Sequence, residues 1–293
     1  MNKIIALLLC FLCNHAIVAQ AATYGLARSA TPVLNFPAFR SVFGGADGKT
    51  LKTDRCGQLR ELEFIALPGT VFSILEKLRN GAETVYRVET DDYPASAKGS
   101  LYVDSRFVEI REIKPPSRPR SLPSRAAIIA GLKGAVGVPY VWGGNIQGGV
   151  GELIELFYAG DVPGKAKGHL TLAGLDCSGL LYQATGGWTP RNTTQLLAFG
   201  TAVPVAGKTL EEIAGSLEAL DLIVWNGHVV IVLDQETTIE SRLECDKQGG
   251  GGVVLNRLHK RLTEIMRSRR PLDRWPVDGK QRSVFVVRRW VLQ

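Results

Sequence analysis

Apolar and polar positions along this chain change period several times, and each change marks an element. Between about residues 24 and 113, short apolar runs are broken by Gly, Asp and Pro. Val71 to Leu75 reads as one strand, and Thr84 to Val88 alternates with period two and reads as another. Leu101 to Val108 makes a third, with Asn80-Gly81 and Asp91-Asp92 as turns. Several short strands in one stretch predict a small β-barrel. Farther along, the period lengthens. Arg125 to Val136 reads as a helix capped by Ser124. Cys177 to about Thr185 reads as a second helix, with Leu180, Leu181 and Ala184 toward a core and Gly186-Gly187 as the stop. Leu222 to Trp225 and His228 to Leu233 then read as strands joined by Asn226-Gly227, a strong hairpin signal. Asp234-Gln235-Glu236 turns the chain into Thr237 to Ser241. Residues 256 to 269 read as a basic helix, and Ser283 to Val291 as a last strand. One helix followed by an antiparallel meander is an α+β layout.

Two stretches stand outside this pattern. In residues 1 to 21, Lys3 precedes an apolar run from Ile4 to Cys13 and a small-x-small site at Ala19-Gln20-Ala21, which reads as a secretory signal peptide. That run is too short to span a bilayer comfortably, and no later one is long enough, so export with no stable membrane span is expected. Lys114 to Pro123 carries Pro115, Pro116, Pro119 and Pro123 and reads as a stiff, extended spacer. The expected organisation is a leader (1–21), a β-barrel domain (22–113), a linker (114–123) and a second domain (124–293). Glu152 to Gly174 looks like an insertion. Gly44 to Thr50 is similar to a phosphate loop, but Phe43 stands where such a loop needs glycine, so it reads as an ordinary loop.

The candidate chemistry lies in the second domain. Cys177 opens a helix in Asp176-Cys177-Ser178-Gly179, and His228 opens a strand downstream. A helix N-terminus and a nearby imidazole both favour the thiolate, so a lowered thiol pKa is expected. His169 and His259, the other histidines beyond the leader, match no such pattern. Across a hairpin centred near Asp234, Glu240 falls opposite His228 on the same face. A carboxylate there would accept the Nδ1 proton of His228 and hold its tautomer. Glu244 is a less well-registered competitor, and a solvent-facing Glu240 is the plainer reading.

Three blocks carry a resemblance: Pro139-Tyr140-Val141-Trp142-Gly143-Gly144, then Asp176-Cys177-Ser178-Gly179, then Leu220 to Trp225 followed by His228 and its strand. In this order and spacing, over roughly residues 124 to 245, the chain resembles the NlpC/p60 cysteine peptidases. The resemblance implies a papain-like catalytic domain, with the nucleophile helix packed on an antiparallel sheet. It implies Cys177 as nucleophile and His228 as base, acting on peptidoglycan stem peptides or muropeptides at the γ-D-glutamyl to diamino-acid bond. It also implies substrate contacts from Tyr140, Trp142, Asp176 and Ser178. The family's usual third residue is a histidine, and here that position holds Glu240. Tyr102 to Val108 resembles the end of a bacterial SH3-type domain. Two other readings stay open: an amidase or acyltransferase on the same site, and a non-catalytic wall-binding module.

Composition narrows this little further. A net charge of +7 suits an anionic wall or membrane surface. No nucleic-acid motif accompanies it, so no nucleic-acid partner is expected. No His/Cys cluster has zinc spacing, so neither a metal nor another cofactor is expected. Beyond the leader remain Cys56, Cys177 and Cys245. If Cys177 is free, Cys56 and Cys245 either pair across the domains or stay as buried thiols, and the second is the expectation. The basic stretch Arg257, Lys260, Arg261, Arg267, Arg269 and Arg270 reads as a solvated face, with contact to acidic wall polymer as the alternative.

Overall fold

The computed structural model describes residues 23–94, 99–246, 250–276 and 283–291; the expected leader lies outside the described residues. The chain is a mixed α/β protein built on two antiparallel sheets. The first sheet takes seven strands: β1 (Thr23–Ala27), β2 (Thr31–Leu34), β3 (Leu62–Ala66), β4 (Val71–Asn80), β5 (Glu83–Glu89), β6 (Leu101–Asp104) and β7 (Val108–Arg111). Their spatial order is β3-β2-β6-β5-β4-β1-β7. Two expected strands are present, with β4 running on to Asn80 as one long strand, but the third, Leu101 to Val108, is broken: a 3-10 turn at Ser105–Phe107 separates β6 from β7. Strands β1, β2 and β3 were not singled out by the alternation.

Helix α1 (Arg125–Gly134) starts where Ser124 accepts a hydrogen bond from the Ala127 N–H at 3.2 Å. Two short helices follow, α2 (Glu152–Phe157) and α3 (Gly164–Leu170), then α4 (Cys177–Ala184). The second sheet comprises β8 (Thr201–Val203), β9 (Leu222–Trp225), β10 (His228–Val232), β11 (Thr237–Leu243), β12 (Gly251–Arg257) and β13 (Val284–Arg289), in the order β8-β13-β9-β10-β11-β12. Helices α5 (Leu210–Ser216) and α6 (Leu258–Met266) complete the domain. The expected helix over 256–269 is shorter than its charge pattern suggested, because Gly251–Arg257 extends as β12 beside β11.

Strand alternation sorts the core into two layers. Leu222, Val224, Val229 and Ile231 pack with Ile128, Leu132, Leu180 and Leu181 from α1 and α4. Ile223, Trp225, Val230 and Val232 pack with Ile213, Leu258, Leu262 and Ile265 from α5 and α6. The sheet is therefore covered on both faces. Each fully buried aliphatic side chain in these layers contributes roughly 1.5–3 kcal/mol.

The insertion has a structural job. Leu153, Phe157, Leu170 and Leu172 share a core with Phe39, Val42 and Phe43 of the first unit. Phe43 and Phe157 lie 5.3 Å apart, and the Arg106 guanidinium sits 4.5 Å from the Phe157 ring. The proline-rich segment is also anchored. Arg118 donates to the Gly186 and Gly187 carbonyls at 3.1 Å, just past the end of α4. Contrary to the expectation of two free thiols, Cys56 and Cys245 form a disulfide across 189 residues of chain. It joins the first unit to the loop after β11.

Candidate active site

Asp176 caps α4 by accepting from the Gly179 N–H at 2.6 Å, which sets Cys177 as the first helical residue. Gly179 is required by packing: a methyl group there would overlap the Gly144 carbonyl oxygen. Asp176 itself donates its backbone N–H to that oxygen at 2.9 Å. Ser241 on β11 donates to the Leu175 carbonyl at 2.6 Å, so the start of α4 is tied to the sheet.

The thiol meets β10 at its first residues. Cys177 Sγ donates to the Gly227 carbonyl at 3.8 Å and accepts from the Val229 N–H. These two groups bracket His228 along the backbone. Gly227 has φ of 89°, so the turn takes a conformation that glycine adopts without strain. The thiol is buried and its pKa is pushed up to about 12, first by burial and then by the Asp176 charge, against the opposing pull of Arg191. This corrects the expected lowering: desolvation outweighs the helix N-terminus.

His228 and Glu240 are joined by a 2.7 Å hydrogen bond. The bonded nitrogen is Nε2, where Nδ1 was expected, so Nδ1 is the nitrogen left for another partner. The register also differs from the expectation. Ile231 pairs with Ile239 and Val232 with Thr238, so His228 and Glu240 are diagonal neighbours on one face. By the alternation above, that face is the one covered by α6. Trp225 pairs directly with His228, and their rings lie 4.9 Å apart.

Glu240 is fully buried, which overturns the plainer reading of a solvent-facing strand residue. Besides His228, it accepts from Arg261 Nη2 at 2.7 Å and from Asn256 Nδ2 at 2.8 Å, and Arg261 Nε lies 2.7 Å from its second oxygen. Burial pushes its pKa up, but the His228 bond and Arg261 together hold it below the ordinary value. Arg261 therefore faces inward, against the expectation of a solvated arginine face. Glu244 pairs instead with Arg242, at 3.0 Å.

On the other side of the thiol, Asp176 and Ser178 are brought to the site but are already engaged. Arg191, almost fully buried, binds both Asp176 oxygens at 2.6 and 3.0 Å and the Ser178 hydroxyl at 2.9 Å. Arg191 also reaches Asn145, whose side-chain amide bonds both the N–H and the carbonyl of Ile65 on β3 at 2.9 Å. A small cavity of about 100 Å³ opens beside the thiol. Its lining includes Tyr140, Trp142, Cys177 and Arg191, and, from the first unit, Glu63 and Tyr93. Trp142 is partly exposed, with Arg60 stacked 4.4 Å from its ring and Gln58 accepting from its N–H at 2.8 Å. His169 is not brought to the thiol; it lines a separate cavity of about 740 Å³ that shares Tyr140.

No protein-family profile and no curated protein sequence matches this chain. Solved structures do. One is an NlpC/P60 family protein from Bacillus cereus, 16% identical, covering 92% of this chain and 64% of that one, with a TM-score of 0.32. This chain thus spans less than two thirds of that protein. NlpC2 from Trichomonas vaginalis is 12% identical over 92% of this chain and 74% of its own, with a TM-score of 0.29. The neighbours are NlpC/P60 proteins. Both superpositions are loose, and the chemistry of the site rests on its own geometry.

Arg191, Arg261, Asn256 and Glu63 join the site without having been expected there. Arg191 had a usable signal: it closely follows α4, the helix that carries the nucleophile. Arg261 was hidden among arginines of similar context, and Glu63 lies in a different unit of the chain.

Proposed function

We propose that this chain is an exported cysteine peptidase of bacterial peptidoglycan, cutting stem peptides at the γ-D-glutamyl to diamino-acid bond. The observation that carries the reading is the 2.7 Å His228–Glu240 pair on the strands beside a helix-terminal thiol. In this structure the thiol bonds the Gly227 carbonyl and makes no hydrogen bond to His228, so substrate binding must free it from that carbonyl and bring it to His228 Nδ1 before the proton passes. Sulfur attacks the carbonyl carbon, and the Cys177 backbone N–H supports the oxyanion. His228 returns the proton to the leaving amine, and water then cleaves the acyl-enzyme. Glu240 holds the imidazole throughout.

The first unit, read as an SH3-type domain, supplies the limit on substrate length. Its Glu63 carboxylate accepts from Tyr93 OH at 2.9 Å and from Asn35 Nδ2 at 2.8 Å. Among the described residues no lysine or arginine lies within ion-pair distance of it, whereas Asp176 is neutralised by Arg191. A free α-ammonium at the end of the cavity matches that unpaired charge. The reading therefore favours peptides with a free N-terminal L-alanine over intact polymer.

The test is mass spectrometry of L-Ala-γ-D-Glu-diaminopimelate tripeptide and of intact muropeptides after incubation with the purified protein, beside Cys177→Ala. Cleavage after D-glutamate by wild type alone, with the tripeptide preferred, is expected. No cleavage of either by folded protein would remove the reading.

A further inference from the structure

Arg261 is remote from the thiol, yet it controls what the site's acid can do. Its guanidinium meets both oxygens of Glu240, with Nη2 at 2.7 Å from one and Nε at 2.7 Å from the other. Asn256 adds a donor at 2.8 Å. Both partners are inside the protein: the Arg261 side chain is 14% exposed and that of Glu240 is 0% exposed. An isolated buried carboxyl group takes up a proton, because desolvation disfavours its charged form. A neutral carboxyl group can donate as well as accept. A carboxylate fixed against a guanidinium can only accept.

The consequence reaches His228. Its Nε2 lies 2.7 Å from the same Glu240 oxygen that Arg261 Nη2 binds. Facing a pure acceptor, a neutral imidazole must carry its proton on Nε2, which leaves the Nδ1 lone pair open. Facing a protonated Glu240, it could accept at Nε2 and carry its proton on Nδ1 instead, where it could no longer take one. We infer that Arg261 is a positioning residue that locks the tautomer of His228 through Glu240. This rests on the reading of His228 as the general base. Glu264, paired to Arg261 Nη1 at 3.2 Å, braces the outer edge of the guanidinium and is not part of the lock.

The test is 15N NMR of the histidine-labelled, full-length protein near pH 8 without substrate, with His228→Ala used to assign the His228 resonances. Wild type should show protonated Nε2 and unprotonated Nδ1. Arg261→Met should mix the tautomers and lower kcat on the tripeptide at least tenfold, with KM within twofold. Arg261→Lys, a milder change to the fold, keeps the charge but loses the two-point contact, and should show an intermediate mixture. Glu264→Gln should match wild type. A wild-type tautomer in folded Arg261→Met, or in Arg261→Lys if the former does not fold, overturns the inference. Because the tautomer is read without substrate, a wild-type protein that cleaves no peptide would sink the proposed function and leave this result to stand or fall alone.

Discussion

Two buried carboxylates flank the candidate site, each held at two points by an arginine, yet they are wired differently. Asp176 lies beside the thiol, and its partners are Arg191, Ser178 and the Gly179 N–H. Every one of those contacts ties down backbone or neighbouring side chains. Glu240 lies behind the imidazole, and one of its partners is itself a titratable ring. The first pair holds up the architecture around the nucleophile. The second leaves a proton position under the control of a charge. The same carboxylate–arginine pairing thus serves stability on one side and proton chemistry on the other, and the difference comes from what else each carboxylate touches.

Removing each arginine should separate these roles. Arg191→Met strands a buried aspartate and also breaks the bond to Asn145, the amide that joins the two units through Ile65. Breaking a buried ion pair from one side costs about 3–5 kcal/mol. Urea unfolding should show a loss of that size. A loss under about 1 kcal/mol would mean that the Asp176 pair is no keystone. Arg261→Met should cost less, because Arg261 binds Glu240, Glu264 and the Trp225 ring, all within the second domain, whereas Arg191 also holds the Asn145 amide that joins the two units.

The second expected effect is on rate. Glu240→Gln preserves shape but removes the charge and puts a donor NH2 beside the one remaining acceptor oxygen, so the imidazole loses its counter-charge and its tautomer is no longer fixed. A positioned acid or base contributes roughly 10²–10⁴-fold. Tripeptide hydrolysis should fall within that range, measured on protein shown to be folded, because the change leaves the Arg261 guanidinium without its counter-charge. Equal activity in Glu240→Gln would erase the contrast between the two acids.

How much of this was legible in the chain depends on the range of the interaction. Local signals read well. Ser124 and Asp176 as caps, α4 ending at Gly186-Gly187 and the Asn226-Gly227 turn are all set by neighbouring residues. Strand β12 was hidden because its pattern is interrupted by Gly251 and Gly252 and followed by basic residues. The His228–Glu240 pairing was legible in kind, but not in register or ring nitrogen, since a shift of two residues keeps the same face. The Cys56–Cys245 bridge was not legible, because spacing alone does not determine connectivity. The thiol was misjudged for a related reason: a helix N-terminus is visible in sequence, whereas the depth at which it is buried is not.

The buried thiol gives the last prediction, the smallest in its effect on stability at neutral pH. Burial raises the Cys177 thiol pKa to about 12, well above the ordinary value of about 8.5 for cysteine. Thiolate alkylates and thiol does not, so iodoacetamide should modify Cys177 on the order of 10³-fold more slowly than free cysteine at pH 8. The rate should keep climbing about tenfold per pH unit through pH 10, as expected below the pKa. Stability should carry the same signature. The folded state binds this proton more tightly than the unfolded chain, so the contribution is complete below the unfolded pKa. It is lost as pH rises from there toward the folded value. Between about pH 8.5 and pH 10.5, wild type should therefore lose unfolding free energy faster than Cys177→Ala, which has no such proton to release. An alkylation plateau near pH 8.5, with parallel stability curves, would show an ordinary thiol. The Asp176 side of the site would then differ from the Glu240 side in architecture alone.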